Sequence, residues 1–359
     1  MPISSHPHDP ATNPRADDRE REAECLHIGL VNNMPGSALE ATERQFRTLL
    51  DAAAGGISVR LSLYALPGFP RPAGDTSRSG SVYGDIGNLW NSRLDGLIVT
   101  GAEPMAPSLK DEPYWESLKT LLEWAEHHTY SSVWSCLAAH AAVLHLDGIR
   151  RRPLGHKLCG VFECARVSDE PLTARLTAGV PDRTCVPHSR WNGLPSDALA
   201  ACGYQVLTQS EDAGIDAFVK LRKSLLVFFQ GHPEYEADSL LLEYRRDVGR
   251  FLRREKSAYP LMPEGYFDED AAAQLGSFRE RALSDRTSHR SPDRNDKLLA
   301  DFPLAPLAAK LKNRWRPAAV RVYRNWLLYL SEQKATQKNR EPMGRNRQTE
   351  GNLVGPAAQ

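Results

Sequence analysis

The run SVWSCLAAHAAVLHL, residues 132–146, decides the fold class. Ser132-Val133-Trp134-Ser135 has the apolar, β-branched character of a buried strand, and Leu137 to Leu146 is a small-residue helical stretch. Cys136 stands at the junction. A strand that turns straight into a helix lifts its junction side chain above the sheet and aims helix N–H groups at it.

Working outward, the same alternation recurs. Leu26 to Val31 reads as a buried strand leaving through Asn32-Asn33-Met34-Pro35, and Ala41 to Ala53 places Phe46, Leu49 and Leu50 at helical spacing. Ile57, Val59, Leu61 and Leu63 alternate as a strand. Leu97-Ile98-Val99 is a further strand closed by Thr100-Gly101-Ala102, and Tyr114 to His127 is a helix with Trp115, Leu118, Leu121 and Leu122 on one face. Downstream, Leu225 to Phe229 is a strand that leads through Gly231-His232-Pro233-Glu234 into a helix over Ala237 to Arg254. Strand–helix repetition of this kind predicts an α/β protein with a mostly parallel sheet flanked by helices.

The 359 residues suffice for a large core, and 45 basic against 45 acidic residues give a formal net charge of zero. That balance argues against a nucleic-acid binder. The longest apolar runs are far too short to span a membrane, and the six cysteines fall into neither a disulfide framework nor a zinc spacing. His140 and His145 are five apart and do not share a helical face, so no metal site is expected. Segment 1–24 is a disordered tail rather than a signal peptide by its composition. Residues 25–333 are then a single α/β domain with a polar insertion near 280–297, and 334–359 a polar C-terminal tail. Lys310 to Leu330 regains helical periodicity, with Trp315, Val322, Trp326 and Tyr329 as core. The whole reads as a cytoplasmic enzyme.

Three features carry chemistry. Cys136 suits either a small buried side chain or a nucleophile, since helix N–H dipoles favour the reactive thiolate. His232, two residues before Glu234 and directly after a strand, offers a base with an orienting carboxylate, which together with Cys136 makes a candidate triad. Gly101 and Ala102 form either a plain tight turn or, with the amide of Leu137, an oxyanion hole. The triplet Arg150-Arg151-Arg152 complements the dipole at a helix end or meets a phosphate.

Several motifs, in order, resemble homoserine O-acyltransferases of the homoserine O-succinyltransferase type. They are Asp95 to Ala102, Tyr114-Trp115, Cys136, Lys157-Leu158-Cys159-Gly160-Val161 and Pro187-His188-Ser189-Arg190. Gly231 to Tyr235, Glu243-Tyr244-Arg245-Arg246-Asp247, Trp315-Arg316 and Asn325-Trp326-Leu327 complete the set, so the resemblance spans roughly residues 26 to 330. It implies a class I glutamine-amidotransferase-like, flavodoxin-like sandwich. It also implies acyl transfer from acyl-CoA, a co-substrate rather than a bound cofactor, to the hydroxyl of L-homoserine through a cysteine thioester, in methionine biosynthesis. By motif, Cys136 resembles the nucleophile, His232 the base and Glu234 its partner, while Lys157, Ser189 and Arg246 fall on substrate-binding positions. A homodimer is expected by the same resemblance.

The sequence departs from the family in two loops. Met34-Pro35-Gly36-Ser37 lacks the lysines that commonly follow Met-Pro. Glu103-Pro104-Met105 replaces the usual acyl-selecting stretch, placing Met105 where succinyl users carry glycine and acetyl users glutamate. Glu103 and Met105 are therefore the expected acyl-selectivity residues. An inward Glu103 would repel a succinyl carboxylate, and an outward one would admit it. Two other functions share the fold: a glutamine amidotransferase-like hydrolase, against which Ser135 and Leu137 stand where glycines would flank the cysteine, and a non-catalytic binding relative.

Overall fold

The computed structural model describes residues 24–68, 83–84, 86–287 and 292–345. Its nine strands form one sheet in the order β2-β1-β3-β4-β9-β8-β7-β5-β6. These are β1 (Leu26–Val31), β2 (Val59–Tyr64), β3 (Gly96–Val99), β4 (Ser131–Ser135), β5 (Arg152–Arg166), β6 (Arg183–Gly193), β7 (Gln205–Ser210), β8 (Gly214–Leu221) and β9 (Leu225–Phe229). From β2 to β9 every pairing is parallel, and from β9 to β6 every pairing is antiparallel. The α/β class is as the sequence predicts, and the parallel half carries the cysteine. The antiparallel half adds a long β5–β6 ladder whose strands lack clean alternation. Pro187 sits within β6, which is tolerable because β6 is the sheet's edge.

Helices α1 (Gly36–Ala54), α2 (Trp115–His128), α3 (Leu137–Asp147), α4 (Ser239–Leu252), α5 (Glu269–Thr287), α6 (Pro292–Ala300) and α7 (Arg316–Arg345) frame the sheet. Alternate strand residues feed two cores. Val31, Leu97 and Val99 join Trp115, Leu121 and Ala142 of α2 and α3 on one face, whereas Ile28, Leu30 and Ile98 join Phe46, Leu50, Tyr323 and Trp326 of α1 and α7 on the other. A third cluster lies apart: Leu241, Tyr244, Val248 and Phe251 of α4 pack on Leu275 and Phe278 of α5 and on Phe302.

Three stretches differ from the periodicity reading. Much of the polar stretch 280–297 is helical, in α5 and α6, with 288–291 outside the described residues; Ala282 and Leu298 turn toward the third cluster while Glu280, Arg281, Asp296 and Lys297 are exposed. The chain does not leave its helix near 334. It continues to Arg345, and Lys334 is anchored by Asp95 at 2.7 Å and the Cys25 carbonyl at 2.7 Å. Helix α7 also starts later than periodicity suggests, at Arg316, because the Asn313 side chain accepts from the Arg316 amide and Pro317 follows. The tail expected over 1–24 lies, but for Glu24, outside the described residues. No described helix is long and apolar enough to cross a membrane.

Candidate active site

Three adjacent strands deliver the reactive groups to one edge. β4 lies between β3 and β9, so the turn Thr100-Gly101-Ala102, the residue Cys136 and the segment after Phe229 leave the sheet side by side at its carboxyl end. Cys136 adopts φ +52° and ψ −111°, one of two non-glycine residues with positive φ among those described. Such a conformation costs about 1–3 kcal/mol. It is held by the Cys136 amide, which donates to the Phe229 carbonyl at 2.7 Å, and by α3, whose His140 amide donates back to the Cys136 carbonyl at 3.2 Å.

His232 lies within side-chain hydrogen-bonding reach of Cys136, and its Nδ1 meets Glu234 Oε1 at 2.8 Å. The ring is fixed further by its own amide, which donates to the Pro187 carbonyl at 2.8 Å, and by Tyr235, stacked at 4.2 Å between centroids. Burial opposes a charge on His232, but Glu234 and Cys136 outweigh it and hold its pKa well above the ordinary value. His140, a second histidine of the cavity wall, behaves oppositely: burial pushes it down to about 3, and its Nε2 faces Gln230 Oε1 at 3.0 Å. Only His232 has the partners of a base.

The turn after β3 packs closely on the start of α3. A Cβ on Gly101 would sit 2.8 Å from the Leu137 amide nitrogen and 3.2 Å from the Ser135 carbonyl oxygen. Only glycine lets the turn come this close. Gly101→Ala must displace either the turn or the Leu137 amide, and is expected to lower kcat by roughly ten- to hundredfold with little change in melting temperature, measurable by steady-state kinetics beside a thermal melt.

Cys136, His232, Glu234, Ala102, Leu137, Lys157, Ser189, Arg246 and Glu103 all line one cavity of about 560 Å³. Lys157, Ser189 and Arg246 arrive from β5, β6 and α4 and converge on Glu243. Ser189 Oγ donates to Glu243 at 2.5 Å, Lys157 Nζ stands 3.4 Å from Glu243 and 2.7 Å from Asp247, Arg246 meets Asp247 at 3.1 Å, and the Tyr235 hydroxyl donates to Glu243. Burial would raise the Glu243 pKa, yet Lys157 and Arg246, with the bonds from Ser189 and Tyr235, bring it down to about 2. Tyr235 thus links this cluster to His232.

Glu243, Asp247 and Tyr235 fall within motifs quoted above but have no role assigned from the sequence. The signal was available: Glu243, Arg246, Asp247 and Arg250 recur at three- and four-residue spacing on one face of α4. A folded carboxyl depressed to about 2 stabilises above its ordinary value near 4.5 and loses that contribution as pH falls toward 2. Glu243→Gln is expected to cost about 3 kcal/mol at neutral pH, with the two proteins converging in denaturant melts as pH drops through that window.

The acyl-selectivity expectation divides. Glu103 borders the cavity but turns to Arg250, which binds it bidentately at 2.9 and 2.7 Å and lowers its pKa. Met105 does not line the cavity; it is 60% exposed, because Glu112 captures the Met105 and Ala106 amides at 2.7 and 2.8 Å and turns that loop outward. The remaining thiol of the cavity wall, Cys159, is pushed up to about 12 by burial and stays protonated.

One group among the described residues has metal-ligand composition: Cys164, His188 and Asp216, all buried, with ligand atoms within 4.8 Å of one another. Arg190 stands against His188 at 3.4 Å, and Thr208 donates to Asp216 at 2.7 Å. A guanidinium in contact with a ligand ring opposes a dication, so the group fits a buried polar network better.

The sequence model of the family described as homoserine O-succinyltransferase matches residues 11–337. The homoserine O-succinyltransferase of Rhodopseudomonas palustris is 47% identical over 319 residues, covering 89% of this chain and 92% of that protein. That of Methylorubrum extorquens is 46% identical over 310 residues, covering 86% and 88%. Among solved structures, a glutamine amido transferase from Methylobacillus flagellatus aligns over 85% of this chain and 95% of its own, at 15% identity and a TM-score of 0.47.

Proposed function

The chain belongs to the homoserine O-succinyltransferase family, and from that premise we propose that it moves an acyl group from acyl-CoA to the hydroxyl of L-homoserine through a thioester on Cys136. As a homoserine O-acyltransferase it serves methionine biosynthesis. One observation carries the mechanism: His232 is shared between Cys136 and Glu234 at the ends of adjacent strands, facing a cavity whose other wall holds the Lys157–Ser189–Arg246 cluster.

His232 takes the thiol proton while the sulfur attacks the thioester carbonyl of acyl-CoA. The tetrahedral oxygen is met by the amides of Leu137 and Ala102, and collapse expels the CoA sulfur, which takes the proton from His232. The sulfur–acyl bond to CoA breaks as the bond to Cys136 forms, so the step exchanges one thioester for another. Acylation removes one of the two groups that raise the His232 pKa, so the imidazole returns to its neutral form and serves as base for the second half. There it accepts the homoserine hydroxyl proton as that oxygen attacks, then returns it to Cys136 as the O-acyl product leaves. Arg246, beside Lys157 and Ser189, suits the acceptor's carboxylate, which a guanidinium binds with two parallel bonds.

Succinyl-CoA is the proposed donor. Glu103 does not stand as an unpaired anion, since Arg250 neutralises it, and Met105 does not narrow the cavity. The test is a panel pairing succinyl-, acetyl- and other acyl-CoAs with homoserine, serine and related hydroxy amino acids, reading free CoA with a thiol reagent. Succinyl-CoA with homoserine is expected to give the highest turnover. Release of ammonia from glutamine with no acyl transfer from any donor would overturn the assignment.

A further inference from the structure

Most cations lining the cavity already have a partner. Arg246 is held by Asp247, Arg250 by Glu103, Lys157 by Asp247 and Glu243, and Arg190 by the carbonyls of Asn192 and Ala213. Arg151 is different. Of the triplet Arg150-Arg151-Arg152, it alone turns into the cavity, half-buried, while its two neighbours are exposed. It makes no ion pair or hydrogen bond with any described residue, whereas His156 and Lys256, the other unmatched basic groups of the wall, are exposed to water.

Its surroundings say what it lacks. Burial lowers its pKa, and Tyr114, Glu112 and Cys136 are the groups close enough to act against that shift. Glu112 forms no ion pair with it: one carboxylate oxygen, Oε1, accepts from the backbone amides of Met105 and Ala106 at 2.7 and 2.8 Å, and Oε2 is buried without a hydrogen bond. A half-buried guanidinium that lines the same cavity as Cys136, and that forms no ion pair or hydrogen bond with any described residue, is a site for an anion on the reacting molecule.

We propose that Arg151 binds the far carboxylate of a dicarboxylic acyl group carried on Cys136, and thereby selects succinyl-type donors over neutral ones. The assignment rests on the acyl-transfer reading above. CoA's phosphates lie at the far end of its pantetheine arm, away from the thioester, so the donor's nearest anion to Cys136 is the acyl group's own carboxylate. A planar guanidinium receives that group with two parallel, charge-assisted bonds, which a neutral acyl chain of equal length cannot supply.

The experiment compares succinyl-CoA with butyryl-CoA, whose acyl chain has the same number of carbons and no charge, in the wild type, Arg151→Gln and Arg151→Lys. Both donors are assayed on one preparation, so partial misfolding lowers both rates and leaves their ratio untouched. The wild type is expected to favour succinyl, and Arg151→Gln to lower the succinyl-to-butyryl ratio of kcat/KM by roughly tenfold or more, the scale of a lost charged recognition bond. Arg151→Lys, which keeps the charge without the fork, is expected to fall between them. A ratio that falls by less than about tenfold in Arg151→Gln overturns the assignment. So does a rise in the KM for homoserine with the ratio unchanged, which would place the acceptor's carboxylate there. Should Arg151→Gln be inactive with both donors, an unchanged ratio in Arg151→Lys overturns it instead. A wild type that prefers butyryl-CoA also overturns it, and one that transfers neither acyl group removes the acyl-transfer reading itself.

Discussion

Cys136→Ala is expected to reduce acyl transfer by roughly 10⁴-fold or more, since the covalent route disappears and only binding and oxyanion stabilisation remain. The loss falls on kcat rather than on folding. Alanine removes no packing of consequence, because the cysteine is only partly buried, and the strained φ of +52° is imposed by the Phe229 carbonyl and α3 rather than by the side chain. Steady-state turnover beside a thermal melt separates the two. Near-normal turnover with an unchanged melt would remove Cys136 from the reaction.

His232→Ala carries the next largest effect, more than about a hundredfold in turnover, the usual scale for a lost general base. Its partner acts through it, and the pH profile shows how. Glu234 raises the His232 pKa, so Glu234→Gln should lower it and move the acid limb of the pH–rate profile to lower pH, with a smaller loss of rate than His232→Ala. The stability signs agree. A histidine raised in the fold stabilises fully below its ordinary value near 6.5 and loses that contribution as pH rises through the raised value. Glu234→Gln should therefore fall furthest below the wild type in stability at mildly acidic pH, with the gap closing as pH rises through the raised value. An unmoved acid limb would reduce Glu234 to a packing role.

Periodicity recovered the parallel half of the sheet because its strands are buried on both faces and joined by helices with strong apolar stripes. The expected helices 41–53, 114–127 and 237–254 lie within a few residues of Gly36–Ala54, Trp115–His128 and Ser239–Leu252. The antiparallel half was not legible. β5 begins with exposed, polar Arg152 to His156, and β6 carries Pro187; both are permissible only because these strands lie at the end of the sheet, which a local pattern cannot reveal. Cys136, His232 and Glu234 are legible because they stand in short segments that leave the ends of buried strands. The resemblance supplied Lys157, Ser189 and Arg246, but not the carboxylate between them. Glu243 matters through side chains from three separate elements, a property of the folded chain alone. Met105 was misplaced for a related reason: its loop is turned outward by Glu112, seven residues later, through bonds to backbone amides that leave no sequence pattern.

Rapid-quench mass spectrometry tests the proposed thioester on Cys136 most directly. The protein is mixed with succinyl-CoA in the absence of homoserine, quenched in acid, digested and analysed. The peptide containing Cys136 should gain the mass of one acyl group within a turnover time, lose it on addition of homoserine, and remain unmodified in Cys136→Ala. Homoserine acylation at full rate with the Cys136 peptide unmodified at every time point would contradict a covalent route and point to direct transfer between the two substrates.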